Sequence, residues 1–428
     1  MIEIINIFIF PLILIIFLQN NLLSKFLNDN YTVKILFLDQ IILNLFILLN
    51  LILIISLLNL NIEITITLTV VYFLLSNFLF FSLKKNFFFI YNFLFLLIIF
   101  YIFSAQIAAY PDLSWDGKFH WYKRALNFYQ NMGFENLSSL PKYEYPHLGS
   151  YIWAFFWSIS PLKFEYFGRL FYLFLYLLSI FSICDLVINQ KIKNLSFVFF
   201  SLIAFNINHF TGNQDIIVFS LIIFLTRYVY LIYIDKDDRI LNYLLFILIN
   251  NTIIWIKYEC FVYVLLSYFI LIISKFLNKK FDKVYLLTLF LFITILFKIS
   301  ISKIYQINLD ASFQFSGDYN YKELFYLENI IYKFFFIIKY YLFSLFKNPL
   351  LLLGFFLLFI IFFKRISFLT PILIFFLLLN LSTFSIFYII QSDFEWHVVY
   401  GIDRHMLQYS GVSILFIIIL LNNLFRNK

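Results

Sequence analysis

The sequence is poor in charged residues and in the residues that interrupt helices. Only 13% of its 428 residues are charged, and it has 9 glycines, 7 prolines and 2 cysteines. A soluble domain carries about a quarter charged residues, so a water-soluble fold is excluded. Cys184 and Cys260 are too few for a disulfide framework or a metal cluster. The net charge of +8 is scattered along the flanks of apolar segments, which argues against nucleic acid as a partner.

Hydrophobic residues make up 63% of the chain and lie in long runs, and the mean hydropathy is +0.93. The runs Ile35–Leu58, Phe87–Ala108 and Leu369–Ile390 each meet the requirement of roughly 20 apolar residues for crossing a bilayer. Because a backbone inside lipid must satisfy its own hydrogen bonds, these runs are predicted to be helices. The sequence therefore predicts an all-α protein, a polytopic transmembrane helical bundle of about 12 spans.

Short loops rich in lysine and arginine alternate along the chain with loops that lack this basic character. The positive-inside bias places the basic loops in the cytoplasm. The segments then predicted to lie outside are Tyr110–His147, His209–Asp215, Lys257–Glu259, Tyr305–Glu328 and Gln391–His405.

Two further apolar stretches are predicted not to cross. Gly149–Ser160 is too short to span comfortably, and Ile331–Phe346 carries lysines that suit a helix lying in the interface. We therefore expect N-terminal transmembrane helices over residues 1–109 and an extracytoplasmic loop with interfacial helices over 110–161. A transmembrane bundle with short outside loops is expected over 162–428.

The rare polar and aromatic residues collect on the predicted outer side. An aromatic belt is expected at both membrane interfaces, whereas the tryptophans lie on one side; a belt is an equal alternative for Trp153 and Trp157. The histidines, all five of them in outside segments, are His120, His147, His209, His397 and His405. The outer face is therefore predicted to hold the functional site.

The first outside loop holds an acidic residue just past a membrane exit, where a charge is unfavourable without a partner or a role. Asp116 precedes His120 by one helical turn, so both are expected on one face of a helix that begins near Gly117. The alternative for Asp116 is a helix N-cap, and Asp112 is a cap, a turn residue or a site residue.

Three later segments carry the remaining polar residues. The turn His209–Asp215 packs glycine, two amides, histidine and aspartate into a chain that otherwise avoids them. Lys257 and Glu259 interrupt a long apolar stretch, either as a snorkelling pair or as part of a site. Arg404, next to a membrane entry, is suited to a planar, bidentate contact with a phosphate.

The order of these motifs resembles the bacterial polytopic glycosyltransferases of the GT-C fold, a group that includes protein mannosyltransferases and lipid A sugar transferases. The resemblance covers Tyr110 to Ser410. The family more often has an aromatic residue and an alanine before the aspartate that corresponds to Asp215. The segments that carry the resemblance are Trp115-Asp116 with Trp121 and Lys123-Arg124-Ala125, Tyr145-Pro146-His147-Leu148, Gly212-Asn213-Gln214-Asp215, Trp255-Ile256-Lys257-Tyr258-Glu259 and Asp403-Arg404.

This resemblance implies a membrane glycosyltransferase in the bacterial plasma (inner) membrane. The donor would be a polyprenyl-phosphate-linked sugar, the acceptor a glycan, lipid or protein on the extracytoplasmic face, and the transfer would invert the anomeric centre. Asp116 would be the base, with Asp112 behind it. Asp215 would orient the acceptor or hold a divalent cation (Mg or Mn) together with Asp116.

The leaving phosphate needs a cation. Arg404 is the first candidate, then Lys257, with His405 assisting. Indole rings would stack on sugar faces. The residues assigned to substrate binding are Trp115, His120, Trp121, His147, His209, Glu259, Trp396, His397 and Asp403.

Two other functions compete. A flippase or transporter of lipid-linked glycans would place charged sites in the middle of the membrane, where Arg227 is the main candidate. An O-antigen polymerase or ligase would also act from outside, but such proteins tend to have a large outside loop late in the chain, whereas the richest loop here comes early.

Overall fold

The protein is all-helical wherever it is described, which confirms the predicted fold class at that level. The structure is a computed structural model that describes residues 2–18, 22, 37–79, 87–140, 145–234, 239–304, 326–363, 370–382 and 394–426. Most of the predicted outside loop Tyr305–Glu328 lies outside these ranges.

The helices follow one another with short connections. The first half of the chain contains α1 Ile2–Leu18, α2 Phe37–Leu57, α3 Ile62–Leu79, α4 Phe87–Ala109, α5 Lys123–Tyr129, α6 Leu148–Ile159, α7 Tyr166–Cys184 and α8 Gln190–Ile203. The second half contains α9 Asp215–Ile234, α10 Ile240–Ile253, α11 Cys260–Leu277, α12 Phe281–Ile304, α13 Leu327–Lys347, α14 Pro349–Phe363, α15 Thr370–Ser382, α16 Phe394–Ser410 and α17 Val412–Arg426.

Seven of the described segments are long and apolar enough to cross a membrane. They are Phe37–Leu57, Tyr166–Cys184, Asp215–Tyr233, Cys260–Leu277, Phe281–Ile301, Glu328–Lys347 and Phe394–Asn422. Shorter apolar helices of 10–17 residues accompany them. The chain is therefore a helical membrane protein, while the total of about 12 spans and the interfacial position of Ile331–Phe346 stay predictions.

The core is formed by α7 and α9, which pack against each other along their lengths. Every residue of α7 is buried, as expected of a helix that is surrounded by other helices rather than by lipid. By contrast, α12 packs mainly on α11 and exposes apolar side chains such as Leu289 and Phe292. An apolar surface of this kind fits a lipid environment.

Helix α6 has 12 residues, about 18 Å at the usual rise per residue, which is too short to cross a hydrocarbon core. It is buried among its neighbours, with Trp153 fully buried and Trp157 nearly so. Both rings are enclosed by protein, which contradicts the interfacial-belt alternative, because a belt residue exposes its ring to the lipid headgroups.

The segment Gln391–His405 was expected to be a loop, and this expectation is wrong from Phe394 onward, where the chain is helix α16. The polar residues that suggested a loop lie on a helix whose other side carries Val398, Ile402 and Met406, all buried. An amphipathic helix of this kind packs one side on the core.

Charged side chains are grouped around two positions of α9, one at its start and one past its middle. Asp215 is its first residue, and Arg227 lies 12 positions further on, about 18 Å along the axis. Arg227 contacts Asp39 at 3.2 Å and Asp185 at 3.9 Å, and Asp185 also contacts Lys193. The in-membrane arginine is thus paired, which removes most of the cost of burying it.

Candidate functional site

Asp215 lies at the centre of a group of charged residues at one end of the bundle. Its side chain is 4% exposed. Lys257 Nζ lies 2.8 Å from Oδ1, Gln408 Nε2 donates to Oδ1 at 2.6 Å, and Arg404 Nε donates to Oδ2 at 2.9 Å. Because a buried carboxylate is stable only when it is paired and hydrogen-bonded, these three donors explain how Asp215 is held in ionised form.

Lys257 and Glu259 lie in the connection between α10 and α11, and they join the same group. Lys257 Nζ is 2.9 Å from Glu259 Oε1, and Gln408 Nε2 donates to the same oxygen at 3.2 Å. Burial alone would lower the pKa of Lys257, but the carboxylates of Asp215 and Glu259 raise that pKa above its ordinary value. Burial would likewise raise the pKa of Glu259, yet Lys257 and then His405 hold it well below its usual range.

Arg404 extends this group to the first loop. Its Nη1 donates to Asp116 Oδ2, while its Nε is held by Asp215. Asp116 makes no capping hydrogen bond to the helical turn Gly117–Tyr122, so the N-cap alternative is wrong. His120 Nε2 lies 3.9 Å from Asp116 Oδ1, which confirms that these two residues share a helix face.

The two ion pairs of Arg404 differ in burial. The Asp116 side chain is 26% exposed and that of Arg404 35%, whereas Asp215 is 4% exposed. Partly exposed ion pairs contribute about 0–1 kcal/mol, and removing one partner of a buried pair costs about 3–5 kcal/mol. The link to Asp116 is therefore the weaker of the two.

The first loop and the second turn are joined by backbone contacts. The Ser114 amide donates to Thr211 O at 3.0 Å, and its hydroxyl donates to Asn213 Oδ1 at 2.9 Å. A Cβ on Gly117 would lie 2.2 Å from Thr211 O, and Gly212 adopts φ +94°. Only glycine allows this approach and this backbone conformation, which explains both glycines in a chain that has so few.

Arg169 also joins these two segments. Sequence reasoning did not single it out. It is buried on α7, and its guanidinium donates to Pro111 O at 2.8 Å and to Phe210 O at 3.0 Å. Glu165, one helical turn earlier, contacts it at 2.9 Å. Arg169 thus anchors both segments a few residues before Asp116 and Asp215, the two residues that reach Arg404.

Gln408 was also missed, although an amide four residues after Arg404 shares its helix face and is a usable signal. It contacts both Asp215 and Glu259, and its Oε1 accepts from the Tyr263 hydroxyl at 2.8 Å. Its amide can donate to two carboxylates at once, and this bridges α9, α11 and α16.

The three tryptophans assigned to sugar stacking lie in different environments. Trp115 is 64% exposed and Trp396 is 58% exposed, next to Tyr400 on α16. Trp121 is 3% exposed and packs on Tyr145, with ring centroids 5.6 Å apart. Only Trp115 and Trp396 therefore present a ring face to a ligand in this conformation.

Two of the histidines predicted to bind substrate, His147 and His209, lie in different environments. His147 is buried, and its Nε2 lies 2.8 Å from the Ser56 hydroxyl; burial, and then the charge of Arg124, lower the pKa of His147 to about 3. This places His147 in the packing between α2 and α6. Burial lowers the pKa of His209, and the charge of the Asp215 carboxylate opposes that effect.

The remaining predicted residues lie towards the surface. Asp112 is exposed. Asp403 is paired with Lys347 at 3.5 Å, and both are about half exposed. His397 packs edge-on against Trp396. His405 Nε2 is 3.7 Å from Glu259 Oε1, so His405 belongs to the charged group.

The charged group holds three carboxylates, Asp116, Asp215 and Glu259, and two permanent cations, Lys257 and Arg404. Among the described residues, no three His, Cys, Asp or Glu side chains are placed to hold a metal ion. The guanidinium lies between Asp116 and Asp215, where the predicted divalent cation would bind. The donor set in this conformation does not fit a metal.

Comparisons of the chain with protein-family models, with curated proteins and with solved structures found no significant match. The chemistry of the site therefore carries the case for function.

Proposed function

We propose that the protein is a GT-C-type membrane glycosyltransferase. It transfers a sugar from a polyprenyl-phosphate-linked donor to an extracytoplasmic acceptor with inversion. The observation that carries this proposal is the position of Arg404, whose guanidinium contacts Asp116 of the first loop and Asp215 of the second turn. The site thus brings a carboxylate close to a cation. Sugar transfer needs both groups, because the carboxylate can remove the acceptor's proton and the cation can stabilise the leaving phosphate.

In the proposed reaction, Asp116 accepts the proton of the acceptor hydroxyl. The acceptor oxygen attacks the anomeric carbon from the face opposite the phosphate, and the bond between that carbon and the phosphate oxygen breaks. The electron pair leaves with the polyprenyl phosphate, whose negative charge is met by Arg404. Asp116 suits the role of base because its carboxylate is partly exposed and therefore accessible to an acceptor hydroxyl.

Asp215, Lys257, Glu259 and Gln408 have a supporting role in this proposal. They are linked by hydrogen bonds of 2.6–3.2 Å, and Asp215 holds Arg404 at Nε. A catalytic cation that is fixed by its neighbours needs no reorganisation as charge develops. Asp215 therefore positions Arg404 rather than contacting the acceptor.

The exposed indoles supply surfaces for substrate. Trp115 follows the first membrane exit and Trp396 lies two helical turns before Arg404. Flat apolar faces near a polar centre are suited to pack on sugar rings or on a prenyl chain. The bundle and the positive-inside pattern support a site on the extracytoplasmic face of a bacterial inner membrane.

The first experiment supplies purified protein in detergent with polyprenyl-phosphate sugars and a panel of glycan and glycolipid acceptors. Mass spectrometry follows the loss of donor and the gain of product, and NMR determines the anomeric configuration. Donor consumption with an inverted product is expected. Translocation of an intact donor across proteoliposomes would instead indicate a flippase, and transfer of whole lipid-linked oligosaccharides would indicate a polymerase or ligase.

A further inference from the structure

Arg404 lies between two carboxylates that are held to very different degrees. Asp215 has two further donors, Lys257 and Gln408, and is almost fully buried. Asp116 is partly exposed, and its other ionisable neighbour in the described part of the chain is His120 at 3.9 Å. If one carboxylate leaves Arg404, it is therefore Asp116.

A phosphate that binds Arg404 through two guanidinium nitrogens competes with at least one of the two carboxylates. Bidentate binding of a phosphate uses two neighbouring guanidinium nitrogens. Every such pair includes Nε, which is held by Asp215, or Nη1, which is held by Asp116. One carboxylate must share its nitrogen or give it up.

The charge of the site favours complete displacement. Three carboxylates face two permanent cations, so the group has a net charge of about one negative before any ligand binds. Adding a phosphate without moving a carboxylate would place further negative charge around one guanidinium, where like charges repel. Moving Asp116 away relieves this repulsion, and the solvent-facing side of its helical turn allows the side chain to rotate.

We propose that the donor phosphate takes the place of Asp116 on Arg404 and thereby releases the carboxylate that deprotonates the acceptor. This inference rests on the proposed function, and it adds an order of events to it. Before the donor binds, Arg404 holds the base. Once the donor binds, Asp116 is free beside the anomeric carbon, with His120 close enough to orient it. The acceptor is thus activated only in the presence of donor.

The test measures the binding of farnesyl phosphate and of uncharged farnesol to wild type, Asp116→Asn and Glu63→Gln in detergent. Glu63 is an exposed carboxylate at the start of α3 and controls for the loss of one charge. Asp116→Asn is expected to bind farnesyl phosphate about tenfold more tightly than wild type, the factor that corresponds to one charge-assisted hydrogen bond no longer competed for. Farnesol should bind all three proteins equally.

Equal or weaker binding of farnesyl phosphate by Asp116→Asn would overturn the inference, because it would show that the Asp116 carboxylate does not compete with the phosphate for Arg404. Asp116→Ala provides a second measurement, with the same gain expected, and thermal melting verifies that each variant is folded. If wild type transfers sugar but neither variant gains affinity, the displacement is wrong and the proposed function stands. If wild type binds no farnesyl phosphate, the displacement of Asp116 and the proposed function are both wrong.

Discussion

Lys257 Nζ lies 2.8 Å from Asp215 Oδ1, and this contact joins the first residue of α9 to a residue between α10 and α11, 42 positions further along the chain. Both are buried, and Glu259 completes the contact from the other side at 2.9 Å. This contact holds the acidic end of α9 against the connection between α10 and α11. Because Asp215 in turn accepts a hydrogen bond from Arg404, the position of Arg404 depends on this contact.

Lys257→Met is expected to destabilise the protein strongly, because it removes a permanent cation from between the buried Asp215 and the partly buried Glu259. The expected loss is about 3–5 kcal/mol, measured as a lower melting temperature in detergent. Lys118→Met, at an exposed position of the first loop, is the matched control and should melt like wild type. Equal melting of Lys257→Met and wild type would show that the contact does not stabilise the fold.

Gly117→Ala is expected to uncouple the first loop from the second turn. The new Cβ would lie 2.2 Å from Thr211 O, so the backbone must move apart. A displacement of about 1 Å lowers catalysis on the order of 100-fold, and we expect this loss in sugar transfer with a small change in melting temperature. Lys118→Ala, one residue later, should keep full activity. Full activity in Gly117→Ala would mean that the approach of the two segments is irrelevant to the site.

The buried His147 predicts acid sensitivity of the fold. Burial, and then the charge of Arg124, lower its pKa from 6.5 to about 3, so the unfolded chain binds a proton over this interval that the folded chain does not. Its contribution to stability is complete above pH 6.5 and falls as the pH drops towards 3, by about 1.4 kcal/mol per pH unit. His147→Gln should melt with a visibly smaller dependence on pH below 6.5. Identical pH profiles would contradict a neutral, buried imidazole.

Arg227→Met tests whether the charged group around Arg227 acts independently of the group around Asp215. It leaves Asp39 and Asp185 without their shared arginine, and a loss of about 3–5 kcal/mol is expected. Binding of farnesyl phosphate by the protein that remains folded should be unchanged, since Arg227 lies about 18 Å from Asp215 along the helix. Altered binding or translocation with unchanged stability would favour the flippase alternative.

The membrane character and the grouping of Asp116 with His120 were accessible from the sequence, because both depend on local pattern. Long apolar runs require helices in lipid, and residues four apart share a helix face. The pairing of Lys257 with Glu259 was also predictable, because the two opposite charges lie only two positions apart in an apolar stretch.

The contacts between distant segments were not accessible in this way. Arg404 was predicted to bind a phosphate, but its contact with Asp215 joins residues 189 positions apart. Trp153 is apolar enough for either an interface or a core, and only tertiary packing places it inside. Gln408 is a single amide on an amphipathic helix, and its role depends on its contacts with Asp215 and Glu259, which come from other parts of the chain.

Sugar transfer by Asp116→Asn relative to wild type tests the central claim most directly. The variant preserves shape while removing the charge that accepts the proton, so transfer is expected to fall by about 10²–10⁴-fold while donor binding persists. Glu63→Gln should transfer at the wild-type rate, and Asp112→Asn shows which first-loop carboxylate acts. Wild-type transfer by Asp116→Asn would contradict Asp116 as the base, and loss in Asp112→Asn instead would assign that role to Asp112.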